Sequence, residues 1–315
     1  MSLSILKIIP GFVAGTVLLT LAGPVIGELV ATLPPAFPQK GINPQTELGM
    51  SYEDVAFPTT DGLTLRGWFI PAGQADAPAI LYAPATAHDQ RSGLSFVPAF
   101  HQAGYHVLLF SYRGHALSDG DRWGFTYGDA ESQDVDAAVR FLREAKGVSQ
   151  IGVIGHSVGA VSAILSAARN RQIGAVVAIA PFNCVTEVWR TSRPAIIPSF
   201  IMEVALRLAE KRKGFNRDDV NSLKVIRDIE PRPLLMIHGT DDQRITETQA
   251  RRLFAAAQEP KVLWLVKGAT HDGIRALVSG ELATDVISFL DTALRDQEKE
   301  MPELAHGPTA GIPLP

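Results

Sequence analysis

The chain has almost no cysteine. Cys184 is the single one among 315 residues, which excludes a disulfide within the chain and leaves no set of thiolates for a zinc site. Positive charge is not in excess either. The formal net charge is −4, so the basic face expected of a nucleic-acid binder is missing. No internal repeat is visible. What remains is 46% hydrophobic and 20% charged, enough for one large α/β domain or two small ones. The lone cysteine reads as a small buried apolar residue.

One long hydrophobic run is present. Ile8 to Ile26 spans nineteen positions without a charge, close to the twenty or so apolar residues that cross a bilayer as a helix. It is longer than a secretory apolar core, and no A-x-A cleavage site follows. Residues 1–33 are therefore expected to be a transmembrane anchor, with a cleaved signal segment as the alternative. Lys7 and the amino terminus form the positive flank, which predicts a cytoplasmic N-terminus and an exported remainder. The Pro-rich, polar stretch 34–50 reads as a linker, and the polar, then Pro- and Gly-rich stretch 296–315 as a disordered tail.

Between these ends, apolar strands alternate with helical patterns. Ser51 to Pro58 and Leu63 to Pro71 flank Asp61-Gly62, a hairpin signal. Ala79 to Ala83, Tyr105 to Ser111, Ile151 to Ile154, Ile173 to Ala180, Leu234 to His238 and Val262 to Val266 are short apolar runs, as strands covered on both faces should be. Val135, Ala138, Val139 and Leu142 repeat at helical spacing within Asp129 to Lys146, and Ala283 to Arg295 reads as a last amphipathic helix. The pattern predicts a mostly parallel, doubly wound α/β sheet over 51–295 with an antiparallel edge. About fifty residues interrupt it before Pro231, far more than an ordinary loop. Ile196, Ile197, Phe200, Ile201, Met202, Val204, Leu206 and Leu208 there predict a small helical cap, about 182–231, with an apolar inner face. Lys211-Arg212-Lys213 reads as a solvated helix end.

The chemistry centres on Gly155-His156-Ser157-Val158-Gly159, set between an apolar strand and an Ala/Ser/Leu-rich helix. A strand, G-x-S-x-G and helix in succession place a serine on a sharp, strained turn with its hydroxyl exposed. A serine hydroxyl needs a base within hydrogen-bond reach and a group that fixes the base's tautomer. In this sheet type the order is serine, acid, histidine. Of the eight histidines, only His271 and His306 follow the acid region, and His306 lies in the expected tail. His271 is the candidate base. Asp241 and Asp242 both qualify as the acid. Val158 supplies one oxyanion amide, and Thr86 or Ala85, after the strand Ala79 to Ala83, supplies the second. His156 is expected to point away from the site, and His88 to be an exposed loop residue. Arg113 and His115 read as structural, and Glu131 and Asp134 as helix N-terminal charges.

These segments resemble the α/β-hydrolase superfamily, and within it the membrane-anchored or exported bacterial serine hydrolases with an S9-peptidase-like core. The resemblance rests on SYRGHALSDG at 111–120, FTYGDAESQDVDAAVRFL at 125–142, GHSVG at 155–159, LLMIHGTDDQRI at 234–245 and GATHDG at 268–273. It implies an α/β-hydrolase fold and a Ser157, Asp242, His271 triad, the acid lying four residues after His238. It also implies Thr86 and Val158 as oxyanion donors. Relatives usually carry His-Gly where this chain has Pro84-Ala85; the Thr86 amide survives that change. The expected activity is hydrolysis of a small ester or acyl substrate, with no metal, cofactor or nucleic acid required. The alternatives are a peptidase or amidase of prolyl-oligopeptidase type and a non-catalytic, membrane-tethered scaffold.

Overall fold

The computed structural model describes residues 41–191 and 198–295. The expected anchor 1–33, the tail 296–315 and His306, and Ile196 and Ile197 of the cap lie outside the described residues. Of the stretch expected as a linker, 34–50, the described part contains helix α1, Pro44–Leu48. Asn43 caps it by accepting from the Thr46 amide, Pro44 opens it, and Gly49 ends it in the left-handed region, the usual start and stop chemistry. Ile42, Leu48 and Met50 pack against the core.

The main domain runs β1 (Glu53–Pro58), β2 (Thr64–Ile70), β3 (Ala79–Ala83), a 3-10 turn at Gln90–Phe96, α2 (Val97–Gln102), β4 (His106–Ser111), α3 (Asp129–Glu144), β5 (Ile151–His156), α4 (Val158–Arg169) and β6 (Ala175–Ile179). The cap follows as α5 (Val185–Thr191), α6 (Ser199–Lys213), α7 (Ser222–Val225) and a 3-10 turn at Ile226–Ile229. The chain then closes with β7 (Leu234–Gly239), α8 (Glu247–Ala256), β8 (Lys261–Val266), α9 (Gly273–Ser279) and α10 (Ala283–Leu294). The eight strands form one sheet in the order β1-β2-β4-β3-β5-β6-β7-β8. The hairpin β1-β2 and the β2-β4 pair are antiparallel; every pair from β4 onward is parallel. This is the α/β-hydrolase fold.

Two apolar layers explain why the interior strands carry almost no polar residues. Val135, Val139 and Leu142 of α3 and Ile164 of α4 cover one face. Phe100 of α2, Ile274 of α9 and Phe289 and Leu290 of α10 cover the other. β8 departs from this pattern: only Trp264 and Val266 are fully buried, because it is an edge strand. Since β3 and β5 to β8 run in one direction, their C-terminal ends meet at one rim of the sheet, where open α/β sheets bind ligands.

The loop between β4 and α3 is held to that rim by charge. Asp134 is buried and accepts from the Arg113 amide, Nε and Nη2 at 2.9, 3.0 and 2.7 Å. Arg113 also pairs with Asp61 of the hairpin at 2.8 Å. Glu131 accepts from the Thr126 amide and hydroxyl and from the Gly128 amide. These acids close the loop onto the first two turns of α3, and His115 joins them by donating from Nδ1 to the Arg113 carbonyl. Arg113→Ala leaves the Asp134 charge buried without its partner and should cost about 3–5 kcal/mol of stability, whereas Arg113→Met with Asp134→Leu should recover much of that loss. Urea unfolding monitored by circular dichroism checks it; a loss for the single variant no larger than for the double would contradict the pairing.

Candidate active site

Ser157 sits between β5 and α4 with φ 55° and ψ −117°, a backbone conformation that an L-residue adopts only under strain. Gly155 and Gly159 make it attainable. A Cβ on Gly155 would overlap the Gly159 carbonyl, and a Cβ on Gly159 would overlap the Ala83 carbonyl at the end of β3. The turn is pinned by the Ser157 amide donating to Ile179 O at 2.8 Å and by Val161 N donating to Ser157 O at 3.1 Å. The hydroxyl therefore stands clear of the strand end.

The sheet brings two distant loops to that hydroxyl. Ser157 Oγ donates to His271 Nε2 at 3.0 Å, and His271 Nδ1 donates to Asp242 Oδ2 at 2.6 Å. The other oxygen of Asp242 accepts from the Arg244 and Ile245 amides at 2.8 Å each. Burial works against the Asp242 charge, but the hydrogen bond from His271 and those two amides outweigh it and hold the carboxyl below its ordinary range. Asp241 points the other way: it is exposed and accepts from the Thr240 hydroxyl at 3.2 Å. Of the two neighbouring carboxylates, only Asp242 reaches the imidazole. The loop bearing the base is stitched to the loop bearing the acid, Asp241 N donating to Ala269 O and Gly268 N to Thr240 Oγ1.

Val158 opens α4, so its amide has no acceptor within the helix. The close approach of Gly159 to the Ala83 and Pro84 carbonyls puts the start of the Pro84-Ala85-Thr86 loop beside the elbow. That loop turns tightly. His88 N donates to Ala85 O at 3.1 Å, His88 Nδ1 donates to Thr86 O at 2.8 Å, and Ala87 has φ 58°. His88 itself is exposed, as expected. Two amides aimed into one space can stabilise an oxyanion.

The expectation for His156 is corrected. It is buried, it donates from Nε2 to the His271 carbonyl at 3.0 Å, and its ring lies 5.3 Å from the His271 ring. Strand alternation explains this: His156 shares the face of Ile154, which packs with Ala269 and Ile274 around the His271 loop. Burial and the adjacent His271 push its pKa down to about 3. His238, also missed from sequence, is buried, donates from Nε2 to Ile245 O at 2.8 Å and is held below its ordinary pKa by burial. It fixes the turn that aims the Ile245 amide at Asp242.

The cap lies over the same rim. Ile201, Ala205, Leu206 and Ala209 of α6 are buried; the last three pack with Val158, Val161, Phe125, Tyr127, Phe182 and Ile245. Thr191 Oγ1 donates to Arg244 O at 2.7 Å, and Arg252 pairs with Glu187. The inner face is narrower than expected: Phe200, Val204 and Leu208 point outward and are exposed.

Comparison with known proteins shows the family to which the chain belongs. A model of the family described as serine aminopeptidase, S33, matches residues 85–229. The uncharacterised protein Rv2307c of Mycobacterium tuberculosis is 30% identical over 237 residues, covering 74% of this chain and 77% of its own. The chain belongs to the α/β-hydrolase family. The family match stops short of Asp242 and His271, so it is the fold that brings those two to the elbow serine of this hydrolase. The polyketide transferase grgF of a Penicillium species is 26% identical over 261 residues, covering 69% of this chain and 88% of its own. The structure of the Pyrococcus furiosus esterase Pf2001 superposes with a TM-score of 0.68 at 23% identity, over 84% of this chain and 98% of that one.

A neutral His156 has a consequence for stability. Its folded pKa lies below the ordinary histidine value near 6.5. Its contribution to stability is therefore present above about pH 6.5 and is lost as pH falls toward 3. His156→Phe should lower stability most above about pH 6.5 and progressively less below it, flattening the decline from pH 7 to pH 4.5 read from urea midpoints. An unchanged slope would contradict a buried, uncharged His156.

Proposed function

We propose that this hydrolase cleaves carboxylic esters through an acyl-enzyme formed on Ser157. The observation that carries the reading is the unbroken hydrogen-bond chain from Ser157 through His271 to Asp242. Ser157 Oγ attacks the acyl carbonyl as His271 Nε2 takes its proton. The Thr86 and Val158 amides hold the resulting oxyanion. His271 then gives the proton to the leaving alkoxide, the ester C–O bond breaks, and an alcohol departs. Water, deprotonated by His271, attacks the acyl carbon; the acid leaves and the proton returns to Ser157. Asp242 stays ionised throughout, fixing the tautomer that leaves Nε2 free to accept and stabilising the imidazolium.

An ester is favoured by the apolar cap core beside Val158, which suits an acyl group or another hydrophobic moiety. The esterase and polyketide-transferase names of the similar proteins are in keeping with acyl chemistry. A second reading, amide or peptide cleavage, is favoured by the aminopeptidase description of the matching family. The motifs that resemble exported hydrolases with an S9-peptidase-like core belong to this proposal as well. So does the anchor: the uncharged run of nineteen residues from Ile8 to Ile26 would tether the enzyme to a membrane, with the catalytic domain on the extracytoplasmic side. Among the described residues no helix is long and apolar enough to cross a bilayer.

The test is fluorophosphonate labelling beside turnover of matched ester and anilide series. Wild type should label and should turn over esters faster than anilides. Ser157→Ala and His271→Ala should abolish labelling. Asp242→Asn should lower kcat by about 10⁴, whereas Asp241→Asn should leave it near the wild-type value. Folded wild type that does not label contradicts the acyl-enzyme; anilides faster than esters favour the second reading.

A further inference from the structure

Helix α6 is apolar on two faces, and only one of them is used. The inner face closes the cap core through Ile201, Ala205, Leu206 and Ala209. Phe200, Val204 and Leu208 recur every fourth residue on the outer side and are 65%, 43% and 50% exposed. They make up three of the five large hydrophobic residues exposed among those described, so the pattern is concentrated on one helix. At 1.5 Å per residue the stripe is about 12 Å long.

Cations frame the stripe. Helical spacing puts Arg207 and Lys211 on the side that carries Phe200 and Val204. Arg207 is 73% exposed and pairs with Glu203, which Arg217 also holds. Arg212 follows Leu208 by one turn, and its guanidinium lies over the ring of Trp123, itself an exposed aromatic. Phe, Val, Leu and Trp in one band, bordered by Arg and Lys, is the composition of a helix that lies in a membrane interface. A solvated face would have no use for the first four, and around them Arg207, Lys211 and Arg212 outnumber Glu203, which Arg207 and Arg217 already hold.

We infer that the outer face of α6 docks on the surface of an anionic lipid bilayer. The inference does not need the hydrolase activity, but it rests on the membrane anchor of the proposed function. Two things select this occupant: the complementarity between the cationic rim and anionic headgroups, and the uncharged run at 8–26. The fourteen residues from 27 to 40 span at most about 50 Å, so a chain tethered by that run keeps the cap within reach of the same bilayer. Docking by this face would turn the rim that holds Ser157 toward the lipid surface.

The experiment uses the full chain carrying Cys184→Ser, with Val204→Cys or Gln258→Cys as the only thiol for an environment-sensitive fluorophore. Gln258 is exposed and precedes β8, at the end of the sheet opposite the cap. The protein is reconstituted into phosphatidylcholine vesicles with or without phosphatidylglycerol, with a nitroxide on a fraction of the lipid chains. The expected result is strong quenching at position 204 in phosphatidylglycerol vesicles and little at position 258. Arg207→Gln and Lys211→Gln should each lower the docked-to-undocked ratio about fivefold. Equal quenching at the two positions, none at 204, or no difference between the two lipid compositions would overturn the inference. So would a fluorophore at 204 that becomes shielded without lipid as protein concentration rises, which would mean that a second copy covers the stripe.

Discussion

The strained backbone at Ser157 is the constraint on which the site depends. It exists because β5 and α4 touch, and they touch because Gly155 and Gly159 have no side chain. The cost of such a residue, of order 1–3 kcal/mol, is offset by a sheet and two apolar layers that define the position of both neighbours. A more relaxed serine would lie along the strand, where His271 could not meet it. The same contact brings the end of β3, and with it the Thr86 loop, against the first turn of α4. The elbow serine and the two amides proposed to hold the oxyanion are thus positioned by one packing event.

Around that turn the protein controls charge by hydrogen bonding as much as by burial. Three histidines and one aspartate crowd the rim, and their environments separate their roles. Asp242 is stabilised as an anion by His271 and two backbone amides, while His156 and His238 are kept neutral mainly by burial. His156 and His238 hold main-chain carbonyls on either side of the site, so the imidazole of His271 is the one placed between a hydroxyl and a carboxylate. The cap adds an apolar roof that shares Val158 with the elbow. Lower water access strengthens each polar contact beneath it.

Much of this was legible in the sequence, for definite reasons. The parallel sheet follows from apolar runs too short for helices, and the elbow from G-x-S-x-G between a strand and a helix. The order serine, acid, histidine isolates His271 without a structure. The choice between Asp241 and Asp242 was different. Neighbouring loop residues differ only in direction, which the pairing of Asp241 N with Ala269 O sets. His156 was misread although strand alternation, counted from Ile154, would have placed it beside the His271 loop. Helix α1 carried its own signals, Asn43, Pro44 and Gly49, inside a stretch whose Pro and polar content suggested a linker. The outward stripe on α6 was hidden because a helix apolar over most of its circumference does not reveal which side meets the core.

The central claim is that Ser157 becomes acylated and that water releases the acyl group. Rapid mixing of the purified full chain with excess p-nitrophenyl acetate, followed by quenching, digestion and mass mapping, tests it most directly. The account predicts a burst of about one nitrophenol per folded chain, an acetyl group on the peptide bearing Ser157, and loss of both in Ser157→Ala. Steady turnover with no acetylated Ser157, or an acetyl group confined to another residue, would contradict it.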